Sequence, residues 1–166
     1  MIQYQLLGGM QNGMSISTLV QSAQTNGGGP TPVLTPGGAA VNLGQGHHQT
    51  INFGAASQKV LAFGLLTCAG VGLGSTDPNA AAQAVVYHAT SGHLPGGILA
   101  TLRAAIGNPP VGSLLAVYVT PKPWDHNYNA DAMKIQTYGV PANCVIYIDN
   151  FPASQFGINS HGQVGF

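Results

Sequence analysis

Full charges are almost absent from this chain. Its 166 residues hold four Lys or Arg and four acids, and all four acids are Asp. Such a chain folds around apolar burial and backbone hydrogen bonding, and it stays in solution through Asn, Gln, Ser, Thr and exposed backbone. The basic residues Lys59, Arg103, Lys122 and Lys134 are scattered. They leave no electrostatic footprint for DNA, RNA or an anionic membrane. With 45% apolar residues the composition is that of a globule rather than a disordered segment. The length suits a single domain, 1–166, whose core needs neither a disulfide nor a metal.

The lack of Glu removes whole classes of chemistry: HExxH zinc proteases, glycosidases built on paired Glu, and EF-hand loops that end in Glu. Acid–base work falls to six His, four Asp, two Cys and the tyrosines. The opening residues, Met1 to Gly9, contain neither a basic n-region nor a long apolar h-region, unlike a Sec signal. The most apolar run, Val60 to Gly74, is too short to span a membrane and is broken by Gly64, Gly70, Gly72 and Gly74. Cys68 and Cys144 read as two reduced thiols in a cytosolic setting. An exported protein of this kind would use a route without a cleaved Sec peptide.

Composition shifts near residue 58. Residues 1–58 are rich in Gly, Gln, Asn, Ser and Thr, with short strands expected at Ile2–Leu7, Ser15–Val20 and Thr50–Phe53, and a loop at Gly27–Pro32. This third reads as β and loop elaboration on a better-defined core, 59–150, followed by a polar tail, 151–166. Val60–Leu73 reads as a buried strand or bent strand pair whose glycines allow bulges or close backbone approach. Ala84–Ala89, Leu114–Thr120 and Asn143–Asp149 read as further strands. Ile98, Leu99, Leu102, Ala105 and Ile106 fall on one helical face, with Pro95 and Gly107 marking a helix over 95–106. A second helix is expected over Ala130–Tyr138, capped by Asn129, with Asp131 in its first turn and Gly139 after its end. The expected class is α+β: a mixed, largely antiparallel sheet or sandwich with two short helices.

One pair stands out for chemistry. Asp77-Pro78-Asn79 is the strongest turn signal between the strands that hold Cys68 and His88. An antiparallel hairpin centred on Pro78 sets the two residues opposite each other, with Cβ atoms about 4.5–5.5 Å apart. A thiol and an imidazole at that separation make an activated nucleophile with its base. The plain structural alternative is a core cysteine and a satisfied strand histidine.

Leu65-Leu66-Thr67-Cys68-Ala69-Gly70-Val71, followed by Val85-Val86-Tyr87-His88-Ala89-Thr90, resembles the core of the Cys/His glutamine deamidase superfamily. That group holds the catalytic domain of cytotoxic necrotizing factor, Burkholderia lethal factor and the chemotaxis receptor deamidase. The likeness covers about thirty residues. Leu-Thr-Cys stands where the superfamily prefers Ser-Gly-Cys or Gly-Ser-Cys, and Ala62 stands where some relatives carry a Thr. The resemblance implies a toxin or effector, secreted or injected into a target cell, otherwise cytoplasmic. It implies a monomer that takes the glutamine side chain of a protein substrate, without cofactor, nucleic acid or membrane. Cys68 is then the nucleophile and His88 the base, while the group that orients His88 stays open between Thr67, Asp149 and a backbone carbonyl. Other thiol chemistry on the same pair (transglutaminase-like transfer or peptide hydrolysis) and a non-enzymatic β-rich binding or structural protein are the alternatives.

The remaining constellations carry less. His47 and His48 alternate across a strand and do not share a metal. His88, His93, Asp125 and His126 lack a zinc-ligand spacing, and no metal is expected. His93, His126 and His161 read as surface or loop residues. Trp124, with Tyr128 near it, reads as a local packing anchor or as the rim of a partner-docking loop. Gly70-Val71-Gly72-Leu73-Gly74 lacks the Lys-Ser/Thr of a nucleotide loop. Cys144, within an apolar run, reads as core.

Overall fold

A computed structural model describes residues 2–3, 5–12, 14–15, 28–33, 39–54, 56–80, 82–90, 93–122, 126–148 and 155–165. In chain order the strands begin β1 (Ile2–Gln3), β2 (Gln5–Asn12), β3 (Met14–Ser15), β4 (Gly28–Val33), β5 (Ala39–Leu43), β6 (His48–Asn52) and β7 (Gln58–Phe63). They continue with β8 (Ala69–Ser75), β9 (Gln83–Ala89), β10 (Leu114–Val119), β11 (Val145–Ile148), β12 (Gln155–Asn159) and β13 (Gln163–Gly165). The helices are α1 (Ile98–Ala105), between β9 and β10, and α2 (His126–Tyr138), between β10 and β11. No helix among the described residues is long and apolar enough to cross a membrane.

Among the described residues the strands form a six-stranded sheet in the order β1-β11-β10-β8-β9-β6 and a five-stranded sheet in the order β3-β13-β12-β7-β5. A separate ribbon pairs β2 with β4. Both larger sheets are mixed. β11 runs parallel to β1 and β10, with α2 as the crossover between β10 and β11, and the β10-β8-β9-β6 run is antiparallel. One face of the six-stranded sheet sets Val71, Leu73, Val85, Tyr87, Tyr118 and Tyr147 against Leu99, Leu102 and Ile106 from the α1 segment and Ala132 and Ile135 of α2. Its other face sets Ala84, Val86, Val117, Val119 and Ile146 against Val60, Ala62, Phe156, Ile158 and Val164 of the five-stranded sheet. Helices, sheet and sheet make three layers of an α+β domain.

Several boundaries differ from the sequence reading, each for a local reason. Val60–Leu73 is two strands in two sheets: the chain leaves β7, bends through Gly64 at φ 75, and enters the six-stranded sheet at β8. The polar tail is the β12–β13 hairpin, whose Phe156, Ile158 and Val164 are fully buried and alternate with polar or small residues. Gly28–Val33, read as loop, is a strand. Its Pro30 and Pro32 are tolerated because both strands of a two-stranded ribbon are edges. Asn143 lies in a single 3-10 turn, Ala142–Cys144, so the last parallel strand starts at Val145. Cys144 is partly buried there rather than in mid-strand. Residues 16–20, Trp124, Asp125 and Asp149 lie outside the described residues.

Gly70 and Gly72 in β8 have a packing purpose. A Cβ on Gly70 would lie 2.7 Å from Phe156 Cδ1 and 2.9 Å from its Cβ, and one on Gly72 would lie 2.9 Å from Phe156 Cζ. The two glycines let the Phe156 ring rest on the backbone of the central sheet. Gly70→Ala is therefore expected to destabilise the fold by about 1–3 kcal/mol through overpacking, read as a lower denaturant midpoint at unchanged slope.

On the helical side, Asp131 is fully buried. Its Oδ1 accepts the Leu94 N–H at 2.7 Å and its Oδ2 accepts the Tyr118 hydroxyl at 2.8 Å. Lys134 Nζ sits 3.5 Å from Oδ1 and also donates to the Leu94 carbonyl at 2.6 Å. Burial, and then the Asp131 charge and hydrogen bond, push the Tyr118 phenol far above its ordinary range, and burial likewise raises Tyr147. A raised folded-state pKa stabilises the fold while the phenol stays protonated, so this contribution is complete below about pH 10 and fades as pH rises beyond the unfolded value. The denaturant midpoint should fall steeply above about pH 10, and Tyr118→Phe should flatten that fall.

Candidate active site

Three segments meet where the two sheets exchange strands. The first is the bend from β7 to β8, which carries Thr67 and Cys68. The second is the connection from β5 to β6, Gly44 to His47, which also passes from the five-stranded to the six-stranded sheet. The third is the end of β9 with His88. The β5–β6 connection is fastened to His88 along the backbone: Gly46 N–H donates to the His88 carbonyl at 2.8 Å, and His88 N–H donates to the His47 carbonyl at 3.0 Å.

The hairpin of β8 and β9 forms as expected, but with a different register. His88 pairs with Gly70 and Ala89 with Ala69, so Cys68 is not directly opposite His88. The reason lies in the connection. Asp77 makes the expected turn, its carbonyl taking the Ala80 N–H and its Oδ1 the Asn79 N–H, and a second turn follows in which Gln83 N–H donates to Ala80. That extra turn slips the pairing by two residues. A slip of two preserves the face, because strand side chains alternate with period two. Cys68 belongs to the cluster between the sheets together with Val86 and Ala84, on the face of β9 that His88 shares by alternation. Cys68 itself precedes β8 and has no partner in the ladder, and the expected hydrogen bond between its thiol and the His88 ring is not formed.

Both groups are buried, Cys68 at 1% exposure and His88 at 2%. His88 Nδ1 lies 2.9 Å from the Leu43 carbonyl oxygen. A carbonyl only accepts, so Nδ1 carries the proton, and in the neutral ring Nε2 holds the free lone pair. That Nε2 is buried with no hydrogen-bond partner among the described residues. Cys68 Sγ accepts a hydrogen bond from Gln45 Nε2 at 2.9 Å. The arrangement comprises a thiol, an imidazole held in one tautomer by a backbone carbonyl, a vacant basic nitrogen and an amide donor against the sulfur.

The group that His88 Nδ1 meets is thus a backbone carbonyl, that of Leu43, while Asp149 lies outside the described residues. Thr67 is exposed on the bend before β8 and makes no hydrogen bond to His88 among the described residues. Sequence reasoning missed Leu43 and Gln45, since a carbonyl and a carboxamide in a Gly-rich connection carry no local signature. The other histidines whose side chains are described stand apart, and the His126 side chain lies outside the description. His47 Nδ1 bonds the Gln45 carbonyl at 3.0 Å on the surface, while His48, His93 and His161 are exposed. Among the described residues no group of three or more His, Cys, Asp or Glu is placed to hold a metal ion. Cys144 is a free thiol whose pKa is pushed up by burial. A cavity of about 470 Å³ lined by Leu94, Ile98, Met133 and Tyr138 lies among the helices, across the sheet from Cys68.

No family model matches the chain, and no curated protein matches it.

Proposed function

We propose that this chain is a protein glutamine deamidase that uses Cys68 as nucleophile and His88 as base. The observation that carries the reading is the buried Nε2 of His88, without a hydrogen-bond partner among the described residues, in a place where the Leu43–Gly46 stretch bonds both His88 and the buried Cys68 thiol. Leaving such an atom unsatisfied costs about 1–3 kcal/mol, and a fold retains that cost where the atom has work to do. The Leu43 carbonyl supplies the orientation that a base of this type requires. Unliganded sites commonly hold such partners farther apart than the reacting complex does.

The chemistry follows from the groups present. Nε2 takes the Cys68 proton, and the thiolate attacks the carboxamide carbon of a substrate glutamine. The tetrahedral intermediate collapses by breaking its C–N bond. The nitrogen leaves as ammonia, taking the proton from Nε2. Water then adds to the thioester with Nε2 again as base, the C–S bond breaks, and the sulfur recovers its proton. The net change is carboxamide plus water to carboxylate plus ammonium. A protein substrate is favoured by two large exposed apolar side chains near Cys68, Phe63 at the end of β7 at 58% and Leu66 on the bend at 75% exposure. Action on a protein of another cell, as a toxin or effector, belongs to this proposal.

The burial of Cys68 favours one rival, a β-rich binding or structural protein in which the thiol is core. Peptide mass spectrometry of a protein mixture treated with the wild type and with Cys68→Ala decides between them. Deamidation adds about 1 Da to particular glutamines, leaves the backbone uncut and requires Cys68. Backbone cleavage would assign peptide hydrolysis instead, and no Cys68-dependent change would favour the scaffold.

A further inference from the structure

We propose that Gln45 is a third catalytic group, whose side-chain N–H supplies the oxyanion hole. The inference rests on the deamidase reading. Gln45 Nε2 donates to Cys68 Sγ at 2.9 Å, although the rest of the Gln45 residue is exposed. Its position is built rather than incidental. The same stretch lends the Leu43 carbonyl to His88 Nδ1 and the Gly46 N–H to the His88 carbonyl, and the Gln45 carbonyl meets His47 Nδ1. Base and amide donor are therefore held by one four-residue stretch, Leu43 to Gly46.

The sulfur sits in an apolar cluster with Leu43, Leu65, Val86 and Phe156, where a developing negative charge is poorly solvated. When the thiolate adds to a carbonyl, the new oxyanion lies about 2.6 Å from Sγ, and a useful donor must lie about 2.7–3.1 Å from that oxygen. A donor 2.9 Å from Sγ satisfies both distances with a small swing of the carboxamide. Before reaction the N–H favours the thiolate. In the transition state it transfers to the oxyanion, and only the second interaction accelerates acyl chemistry.

Two reagents separate these roles. p-Nitrophenyl acetate acylates a thiol through a tetrahedral oxyanion, whereas iodoacetamide alkylates it by direct displacement and forms none. With Cys68→Ala as the blank for Cys144, Gln45→Ala is expected to slow acylation of Cys68 by about 100- to 1,000-fold, the loss usual for one oxyanion donor. Alkylation of Cys68 should change by less than about tenfold. Gln45→Glu, which keeps the shape but removes the N–H, should match Gln45→Ala in acylation, and Gln45→Asn should restore part of the rate. Equal, small effects on both reagents would overturn the oxyanion role while leaving the thiol–imidazole pair standing. A wild-type Cys68 inert to both would overturn the pair and this inference with it. Intact and peptide masses supply a further arm. Glu at position 45 in the purified wild type, with Gln retained in Cys68→Ala, would make Gln45 a substrate in cis and overturn its role as donor.

Discussion

Cys68→Ala is expected to reduce glutamine deamidation by at least about a thousandfold while the protein remains folded. Every covalent step of the proposed reaction passes through Sγ, and no other described thiol is near enough to His88 to replace it: the remaining free cysteine, Cys144, precedes β11 and has a thiol pKa raised by burial. The structural cost is small by comparison. Cys68 is buried between the sheets, but exchanging a thiol for hydrogen leaves a void no larger than one sulfur, about 1–2 kcal/mol at most. Circular dichroism and a denaturant midpoint check the fold, and ammonia release checks the chemistry. Cys144→Ala should show the opposite pattern, with a modest loss of stability and the reaction preserved.

Asp131→Ala is expected to be the most damaging change to the fold, at about 3–5 kcal/mol. The carboxylate has no exposed surface, and two groups depend on it, the Leu94 backbone N–H and the Tyr118 hydroxyl. Removing it deletes two charge-assisted hydrogen bonds and the anion facing Lys134 at once. These bonds tie α2 to the start of the α1 segment and to β10, so their loss should lower the thermal midpoint by about 6–20 °C for a domain of this size. Asp131→Asn keeps an acceptor and should cost less. Because Asp131 lies across the six-stranded sheet from Cys68, deamidation per folded molecule should survive both changes at temperatures where the variants are folded.

Asp131 also shows how the sequence misleads. Placed in the first turn of a helix beginning at Ala130, it reads as a charge that complements the helix dipole. The helix begins at His126, so Asp131 lies within it and turns inward. Helix starts depend on tertiary contacts, and the weakly amphipathic 126–138 segment offers little periodicity to fix one. By contrast, α1 was legible because Leu99, Leu102 and Ile106 repeat at helical spacing, and the helix buries Leu99 and Leu102 while Ile106 is buried at its C-terminal cap. The β8–β9 hairpin was legible from Asp77-Pro78-Asn79. Its register was not, since the second turn at Ala80–Gln83 has no Gly or Asn to announce it. The slip moves Cys68 out of its expected place opposite His88 but keeps the shared face, because two residues is a whole strand period.

The five-stranded sheet was largely hidden. Its strands come from both ends of the chain and the β7 segment, and pairings between distant segments leave little local trace. The alternation of Phe156, Ile158 and Val164 was the available sign that the last residues are not a tail. The site followed the same division. Cys68 and His88 announce themselves by residue type, whereas Leu43, at the end of β5, contributes only a carbonyl and Gln45, in the connection after it, only an amide, and both become meaningful once β5 and β6 are placed in different sheets.

The dependence of Cys68 reactivity on His88 is the most direct test of the pair. Iodoacetamide alkylation near neutral pH, followed site by site by peptide mass spectrometry, gives rates for Cys68 and Cys144 in the same molecule. Cys68 should react at least about tenfold faster than Cys144 despite its deeper burial, and His88→Ala should remove that advantage, while His93→Ala leaves it intact. A Cys68 rate that is no greater than that of Cys144, or that is unchanged in His88→Ala, would mean that the imidazole does not activate the thiol, and it would contradict the account.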